Sequence, residues 1–479
     1  MCAERITILG GGLAGCEAAW QAARRGVEVD LYEMRPAVST HAHKTAMLGE
    51  LVCSNSLKND RENTAPWLLK EELRRAGSLL MEIARDVAVP AGQALAVDRE
   101  RFAGRVTEAM EGEPRIHLRR KEACDIPSDG MVIIATGPLT SDALAAAIQR
   151  VTGNERLFFY DSISPIVDAE TVDRSKVFAA SRYGKEIDHA SRGAAAAGQC
   201  AGGGGNTGSE ESIGESAAAD GDYLNCPFNE VEYQRFYDAL LGAESVVRHE
   251  FEEMNYFEGC LPIEEIARRG RETLRFGPMK PVGLKDSRTG KMPYAVVQLR
   301  REDLRSSSYN LVGFQNHMKF GEQKRVLQTI PGLEAAEFLR YGQIHRNTYI
   351  NAPALLDPTL ELRSDRRIFF AGQISGVEGY VESIATGLLA GLHAMRRLRG
   401  ADPAAPPRAT ACGSLCHYIS QANPRGYQPA NITFDLLPPL CGTHAKIRDK
   451  KQRHALVCEI ALRKFDEWLA SERQAAMER

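Results

Sequence analysis

Two cysteines stand where neighbouring groups could make a thiol reactive. Cys260 follows a glycine and precedes a predicted helix over residues 263–269, whose N-terminal dipole would favour the thiolate, the nucleophilic form of cysteine. Cys53 lies among small polar residues in a predicted loop, where serine hydroxyls could cap a helix or bind a phosphate. A buried cysteine packed under a turn is the alternative for Cys260, and on spacing alone an ordinary loop thiol is the favoured interpretation of Cys53. Both positions are therefore candidates for nucleophilic chemistry.

A glycine-rich turn near the N-terminus is typical of a nucleotide site. It joins a predicted strand over residues 5–9 to a helix that ends near residue 25, and a second strand over 27–32 follows. In the motif G-x-G-x-x-G the first glycine makes the tight turn, the second admits a pyrophosphate, and the third packs helix on strand. An acidic residue after the second strand would accept hydrogen bonds from a ribose. This unit predicts a dinucleotide site formed by Gly10, Gly11, Gly12, Leu13, Ala14, Gly15 and Glu33.

Two later turns extend the nucleotide site. One predicted strand over 131–136 ends at Gly137, and another over 367–371 runs through Gly372 and Gly379 into a long helix. The N-terminus of that helix would stabilise negative charge at the C2 carbonyl and N1 of a reduced flavin, and Tyr380 could stack on the ring. Each turn alone could be a plain βα connection. Glycine-rich turns near both ends of the chain favour FAD over NAD alone.

Composition limits the class of protein. The chain has 479 residues, 43% of them hydrophobic and 26% charged, which is enough for two or more domains. Its net charge of −3 excludes a globally basic nucleic-acid-binding protein, so any such surface would be a local patch. Because no C-x-x-C pair occurs and no second pair completes a zinc site with Cys412 and Cys416, we expect no metal. Without a signal peptide or an apolar span, we expect a cytoplasmic protein.

A basic segment over residues 268–291 is the best local candidate for contact with nucleic acid. Phe276 and Tyr294 could offer aromatic faces to bases, and a solvated basic surface is an equal alternative. A second basic run over 446–454 is better explained as a solvated helix face. The cations of the first segment are Arg268, Arg269, Arg271, Arg275, Lys280, Lys285, Arg288 and Lys291.

Longer strings of residues resemble one family. In chain order, and over nearly the whole chain, they resemble the bacterial folate- and FAD-dependent tRNA (uracil-5-)-methyltransferases. The departures are the residues around Cys441 and a Gly-, Ala- and Ser-rich stretch, 185–221, which predicts a flexible insertion. The strings are LYEMRP at 31–36, ELVCSNSL at 50–57, VPAGQALAVD at 89–98, YLNCP at 223–227, FEGCLP at 257–262, RFGPMKPVGL at 275–284, HRNTYI at 345–350 and GQISGVEGYVES at 372–383.

The resemblance implies an activity and its cofactors. The family transfers the methylene carbon of 5,10-methylenetetrahydrofolate to C5 of the T-loop uridine at tRNA position 54 and reduces it to a methyl group. NADPH or NADH reduces the FAD, whose N5 carries the one-carbon unit. Family cysteines map to Cys53 and Cys260, and Tyr380 maps to a tyrosine that lies against the flavin. The implied partners are tRNA, the folate and the nicotinamide, with no membrane and no protein partner.

The chemistry explains why a thiolate is needed. Uracil C5 is a weak nucleophile, but addition of a thiolate at C6 creates an enolate whose C5 can attack, and a base must later remove the C5 proton. Cys53 or Cys260 would be the nucleophile with the other as proton acceptor, and Cys226 is a weaker third candidate. The rival functions are the same methylation on ribosomal RNA, a flavin oxidoreductase for a small molecule, and an RNA-binding flavoprotein without catalysis.

The expected fold class is α/β. A glutathione-reductase-like, Rossmann-type FAD-binding domain is interrupted by a smaller α/β insertion domain, and the active site lies in the cleft between them. The predicted divisions are 1–184 and 336–400 for the two parts of the FAD-binding domain, 185–221 for the flexible insertion, 222–335 for the insertion domain, and 401–479 for a linker and a C-terminal helical tail.

Overall fold

The strands of the chain form two large sheets and two small ones. This computed structural model describes residues 4–40, 42–153, 157–162, 164–184, 222–245, 261–342, 344–442, 444 and 447–477, with the backbone alone at 157–162, 344–346 and 475–477. The strands are β1 (Arg5–Leu9), β2 (Glu28–Tyr32), β3 (Ser56–Asn59), β4 (Ala88–Val89), β5 (Ala94–Val97), β6 (Ile116–Arg119), β7 (Met131–Ile134), β8 (Leu157–Ser162), β9 (Ile166–Asp168), β10 (Phe178–Ala179), β11 (Tyr223–Phe228), β12 (Ala295–Arg301), β13 (Ser308–Leu311), β14 (Phe338–Arg340), β15 (Ile344–Tyr349), β16 (Glu361–Leu362) and β17 (Asp365–Phe370).

Helices cover both large sheets. Within the described ranges, no helix is long and apolar enough to cross a membrane. The α-helices are α1 (Leu13–Ala23), α2 (Ala65–Arg75), α3 (Leu79–Asp86), α4 (Arg99–Gly112), α5 (Asp142–Thr152), α6 (Glu230–Leu241), α7 (Ile263–Arg268), α8 (Thr273–Phe276), α9 (Phe320–Leu327), α10 (Ala352–Leu355), α11 (Tyr380–Leu398), α12 (Ala411–Gln421) and α13 (Lys450–Met477).

The first sheet is mostly parallel and carries the glycine-rich turns. Its strand order is β16-β17-β7-β1-β2-β6, and every neighbouring pair from β17 to β6 is parallel. Its central strands are continuous apolar runs, as expected of a parallel sheet covered on both faces, and Ile6, Ile8, Ile133 and Phe369 are fully buried. Because β17 comes from the C-terminal part of the chain and pairs with β7, distant segments build one sheet.

The second sheet is antiparallel, and the larger apolar core packs on one of its faces. Its strand order is β10-β11-β12-β13-β9-β14. Val297 and Leu299 of β12 belong to a core that includes residues of α6, α7 and α9. Arg300 alternates to the other face. On that side Glu302 pairs with Arg99 (2.7 Å), so this face is turned toward the first domain, which is built around the first sheet, whereas the second domain is built around the second sheet.

Two antiparallel strands connect the sheets. β8 precedes the second sheet, β15 follows it, and the two pair with each other along their whole length. The second sheet is therefore inserted into the first domain through a double connection. Its strands run from Ile166 to Arg340, a wider segment than the 222–335 expected from composition, because β9, β10 and β14 bond within it. The predicted flexible stretch, 185–221, lies outside the described residues.

Helices α1 and α11 touch through their backbones. A Cβ on Gly387 would lie 2.3 Å from the carbonyl oxygen of Ala14, and one on Gly391 would lie 2.7 Å from that of Ala18. No side chain fits at either glycine, so the two helix axes approach more closely than larger residues would allow. Because each helix follows a strand of the parallel sheet, this contact holds both N-termini at the carboxyl edge of that sheet.

We predict that Gly387→Ala destabilises the fold by about 2 kcal/mol, because the new methyl group would overlap a backbone oxygen that cannot move aside. The matched control is Gly104→Ala in α4, where no described atom lies within 4 Å of the new methyl group. That change should be neutral or stabilising by about 0.5–1 kcal/mol. Urea unfolding of both variants measures the difference, and equal effects would contradict the packing argument.

Candidate active site

The glycine-rich turn leaves an open space at the start of α1. A Cβ on Gly10 (φ +110°) would lie 2.5 Å from the Ala135 carbonyl oxygen, and one on Gly15 would lie 1.8 Å from the Gly10 carbonyl oxygen. Gly12 differs, because it is the N-cap of a helix without a side-chain cap, and no described atom lies within 4 Å of its Cβ position. The turn is closed toward the protein and open on the other side. This shape suits an anion held by the helix N-terminus.

A cleft continues from this turn along the edge of the first sheet. It spans about 550 Å³, part of which is open to solvent, and its walls include residues 9–12, 32–35, 121–123 and 139–141. The hydroxyls of Thr136 and Thr140 hydrogen bond to each other there (2.6 Å), and Gly137 turns the chain between them. Glycines, hydroxyls and a carboxylate in one cleft fit the adenosine half of a dinucleotide.

Glu33 is held in its ionised form by an arginine that the sequence analysis missed. Its carboxylate accepts hydrogen bonds from Arg35 Nε (2.9 Å) and Nη2 (3.1 Å) and from the N–H of Gly11 (3.2 Å). Burial would raise the pKa of Glu33, but the hydrogen bonds and charge of Arg35 outweigh burial and hold the pKa below its usual range. Arg35 also pairs with Glu50 (3.0 Å). Glu33 therefore presents a fixed, charged acceptor to the cleft.

The second glycine-rich turn rests on the first. A Cβ on Gly372 would lie 2.9 Å from the Cβ of Ala14. Gly379 (φ +123°) is the N-cap of α11, and Tyr380 is the first residue of that helix. The candidate residues from both ends of the chain, with Leu13 among them, thus gather at one edge of the first sheet.

Tyr380 joins this edge to one of the candidate cysteines. Its hydroxyl accepts hydrogen bonds from the N–H groups of Cys53 (2.8 Å), which is 327 positions away, and Ser54 (3.1 Å). Burial raises the pKa of Tyr380 and the neighbouring Cys53 adds to the effect, so the phenol stays protonated at neutral pH. Cys53 and Tyr380 are both half-buried. The expected flavin contact and one expected nucleophile are therefore neighbours.

Two arginines from different domains lie beside Cys53. Arg99, at the start of α4, donates a hydrogen bond to the carbonyl oxygen of Leu51 (2.8 Å) and pairs with Glu302 (2.7 Å). Arg340 of β14 is buried, and burial together with the charge of Arg99 lowers its pKa. An ionised Cys53 would raise the pKa of both guanidinium groups, so the two cations would in turn stabilise a thiolate there. Sequence reasoning missed both arginines, because nothing local links them to residue 53.

The other two cysteines differ from Cys53. Cys260 lies outside the described residues, although the helix expected after it is present as α7 with Pro262 as its N-cap. Cys226 of β11 is fully buried in the core of the second sheet, and burial raises its pKa well above the usual range. A thiol at that position stays protonated. Of these cysteines, Cys53 is the one whose described surroundings favour a thiolate.

Acidic partners balance much of the basic segment at 268–291. Four of its arginines form ion pairs with nearby carboxylates. The Arg275 guanidinium lies over the Tyr294 ring (3.7 Å to its centre), whereas Phe276 is 78% exposed. The segment is thus a mixed-charge surface, which favours the solvated alternative. The pairs are Arg268–Glu265, Arg271–Glu230, Arg275–Glu272 and Arg288–Asp286.

Comparison with known proteins finds relatives over nearly the full length of the chain. The family model described as Glucose inhibited division protein A matches residues 5–198 and 207–402. Curated relatives carry the name Methylenetetrahydrofolate–tRNA-(uracil-5-)-methyltransferase TrmFO. The protein of Koribacter versatilis is 60% identical over 98% of this chain and 98% of its own length. Those of Solibacter usitatus and Geobacter sulfurreducens are 60% and 53% identical over 97% of this chain and 98% and 99% of their own lengths.

Solved structures show the same fold at low sequence identity. Aquifex aeolicus GidA in its form I crystal has a TM-score of 0.66 at 14% identity and covers 98% of this chain and 78% of that chain. Its form II crystal has a TM-score of 0.63 at 15% identity, with 99% and 76% covered. The predicted fold class, a Rossmann-type α/β domain with a smaller inserted domain, is confirmed.

We predict that Gly12→Val weakens FAD binding and leaves the unliganded fold intact. Its Cβ would touch no described atom of the protein but would fill the space expected for the pyrophosphate. The Kd for FAD should rise about tenfold or more, which equals about 1.4 kcal/mol. The free energy of unfolding without FAD should change by about 1 kcal/mol at most. Flavin fluorescence titration and urea unfolding measure the two quantities.

The control for this variant is Gly112→Ala, an exposed glycine that is equally free of contacts. It should bind FAD as the wild-type protein does. Wild-type affinity in Gly12→Val would show that the open space at the start of α1 is not used by the cofactor.

Proposed function

The chain belongs to the glucose inhibited division protein A family and to the methylenetetrahydrofolate–tRNA-(uracil-5-)-methyltransferases, and we propose that it methylates C5 of the T-loop uridine at position 54 of tRNA. The methylene carbon of 5,10-methylenetetrahydrofolate becomes the methyl group. The names of the relatives support the folate and the tRNA. The observation that carries the proposal is the contact between Cys53 and Tyr380 at the edge of a nucleotide-binding sheet.

We assign FAD to the carboxyl edge of the first sheet. The open N-terminus of α1 would hold the pyrophosphate, Glu33 would bind the ribose, and the N-terminus of α11 would face the ring. When bound, FAD supplies reducing equivalents and carries the one-carbon unit, with NADPH or NADH as the proposed reductant. The residues proposed to contact it are Gly10, Gly11, Gly12, Leu13, Ala14, Gly15, Glu33, Gly137, Gly372, Gly379 and Tyr380.

A thiolate at Cys53 is the proposed activator of the uracil. Its sulfur adds to C6, the C5–C6 double bond opens, and the electron pair moves to the O4 enolate, so that C5 becomes a nucleophile. C5 then bonds to the methylene carbon while the bond from that carbon to its carrier nitrogen breaks, and a base takes the C5 proton. A hydride equivalent, which reduced FAD would supply, would convert the methylene to a methyl group, and the thiolate leaves as the C5–C6 double bond forms again. Cys260 is the proposed base, on the resemblance alone.

The charges around Cys53 support this assignment. Arg99 and Arg340 would stabilise the thiolate and then the negative charge that develops on the uracil oxygen. Burial lowers the pKa of Arg99, but Glu302 outweighs burial and raises it, so the cation persists. The hydroxyl of Tyr380 fixes the backbone of Cys53 and thereby limits where its thiol can lie.

The first test is a transfer assay with the purified FAD-containing protein. One mixture contains NADPH, folate with a labelled methylene carbon, and an unmodified tRNA transcript, and a parallel mixture contains S-adenosylmethionine instead of folate. We expect label in the T-loop with the folate only, and none in a transcript whose position 54 is cytidine. Continued NADPH oxidation without label in tRNA would contradict the proposal and favour ribosomal RNA or a small molecule as acceptor.

We predict that Cys53→Ala and Cys260→Ala each lower methylation by about a hundredfold or more while FAD stays bound, because each removes a nucleophile or a base. Label transfer and flavin absorbance measure the two properties. Cys441→Ala is the matched control, since Cys441 is exposed, and Cys226→Ala tests the third candidate. Full activity in both Cys53→Ala and Cys260→Ala would exclude the thiolate mechanism.

A further inference from the structure

Lys58 adopts a backbone conformation that normally requires glycine. Its φ is +64°, in the left-handed region that side chains rarely occupy. It lies in a bulge of β3, because Ser56 pairs with Ala96 and Asn59 pairs with Ala94, which leaves one extra residue on β3. A strained residue that persists in a folded protein indicates a functional constraint at that position.

The buried ammonium of Lys70 holds this bulge in place. It donates hydrogen bonds to three consecutive carbonyl oxygens, those of Leu57 (2.9 Å), Lys58 (3.2 Å) and Asn59 (2.8 Å), and it pairs with Asp60 (3.2 Å). Burial lowers the pKa of Lys70 to about 8. The left-handed turn is thus determined by contacts that do not involve the side chain of Lys58 itself.

The bulge directs the side chain of Lys58 to the N-terminus of α11. Its Nζ donates to Glu382 Oε1 (2.7 Å) and to the carbonyl oxygen of Glu378 (3.2 Å), and it also contacts the side-chain oxygen of Asn431. A Cβ on Gly379 would lie 2.4 Å from this Nζ and 2.3 Å from Glu382 Oε2. The ammonium therefore lies against the backbone of the N-cap of the helix, next to Tyr380.

The two members of this ion pair differ in exposure. The side chain of Lys58 is 29% exposed, whereas that of Glu382 is fully buried, and Glu382 Oε2 has no hydrogen-bond partner among the described atoms. Of the two side chains, that of Lys58 is therefore the one that a ligand in solvent can reach. The charge of Lys58 adds to the positive end of the helix dipole.

We propose that Lys58 tunes the bound flavin, by placing a fixed positive charge beside the pyrimidine edge of the ring so that the reduced, anionic form is favoured over the oxidised form. This inference rests on the proposed function, which assigns FAD to the edge that includes Tyr380. It predicts that the charge of Lys58, and not only its packing, changes the reduction potential.

The test compares three charge changes at one place. Lys58→Met removes the positive charge, Glu382→Gln removes the negative charge, and the double variant removes both. Lys176→Met is the matched control, because Lys176 is also paired with a glutamate (2.8 Å) but lies in the second domain. Anaerobic titration against a dye of known potential measures the two-electron potential of the bound FAD, and absorbance across pH follows the charge of the reduced form.

We expect Lys58→Met to shift the equilibrium about tenfold toward oxidised FAD, which for a two-electron couple is about 30 mV. Glu382→Gln should shift it in the opposite direction. The reduction potential of the double variant should be lower than that of Glu382→Gln, and that of Lys176→Met should match the wild type. The double variant leaves no unpaired carboxylate in the core. If Lys58→Met alone fails to fold, the comparison of the double variant with Glu382→Gln still measures the effect of the Lys58 charge.

A wild-type potential in Lys58→Met and the same potential in the double variant as in Glu382→Gln, with a lower Tm only, would show that Lys58 is merely the counter-ion of Glu382 and would overturn the inference. The two proposals fail in different ways. A wild-type protein that binds no FAD refutes the assigned cofactor, whereas bound FAD with unmoved potentials refutes the role of Lys58 alone.

Discussion

Because Gly387 and Gly391 let α11 lie directly on the backbone of α1, two helix N-termini meet at one edge of the first sheet. The groups proposed to bind the cofactor at these two N-termini are positioned by this helix contact. Gly12 opens one N-terminus, and Gly379 and Tyr380 form the other. A larger residue in the helix interface would move both dipoles away from a common ligand, since packed helices shift as rigid bodies.

The candidate nucleophile depends on a second contact, the one between the two domains. Glu302 and Arg340 come from the second sheet, and Arg99 and Cys53 come from the first domain. The Nδ2 of Asn55 also donates to the carbonyl oxygen of Arg301 (2.8 Å), so the loop that carries Cys53 is tied to the second sheet. Charges buried at such a boundary are tolerated because they are paired or hydrogen bonded. The electrostatic surroundings of the thiol are thus a property of the assembled molecule.

The sequence predicted those features whose cause is local. Apolar runs and glycine spacing define β1, α1 and β2, and the acid at position 33 follows from the same pattern. The roles of Arg35, Arg99 and Arg340 depend on which segments meet in space, and no local pattern contains that information. In the sequence alone, the arginines at 268–291 are typical of a nucleic-acid-binding surface. Some of their carboxylate partners come from α6, which lies next to them only in the folded protein.

Domain limits were also hard to infer from composition. The low-complexity stretch at 185–221 is conspicuous in the sequence, yet the second sheet already begins at β9 and includes β10. These short strands carry little periodic signal, because two or three residues cannot establish an alternation. Their membership in the sheet is decided by hydrogen bonds to β11, β13 and β14.

The double connection formed by β8 and β15 has a consequence for synthesis on the ribosome. The chain emerges from its N-terminus, so β1, β2 and β7 leave the exit tunnel long before β17 and α11 exist. Until then β7 lacks its neighbour on one side, and the apolar face of α1 lacks the helix that covers it. The inserted domain can complete its sheet earlier, because β9 to β14 all precede β17 in the chain. The first domain is thus the last part of the molecule to complete its sheet, after the domain that is inserted into it.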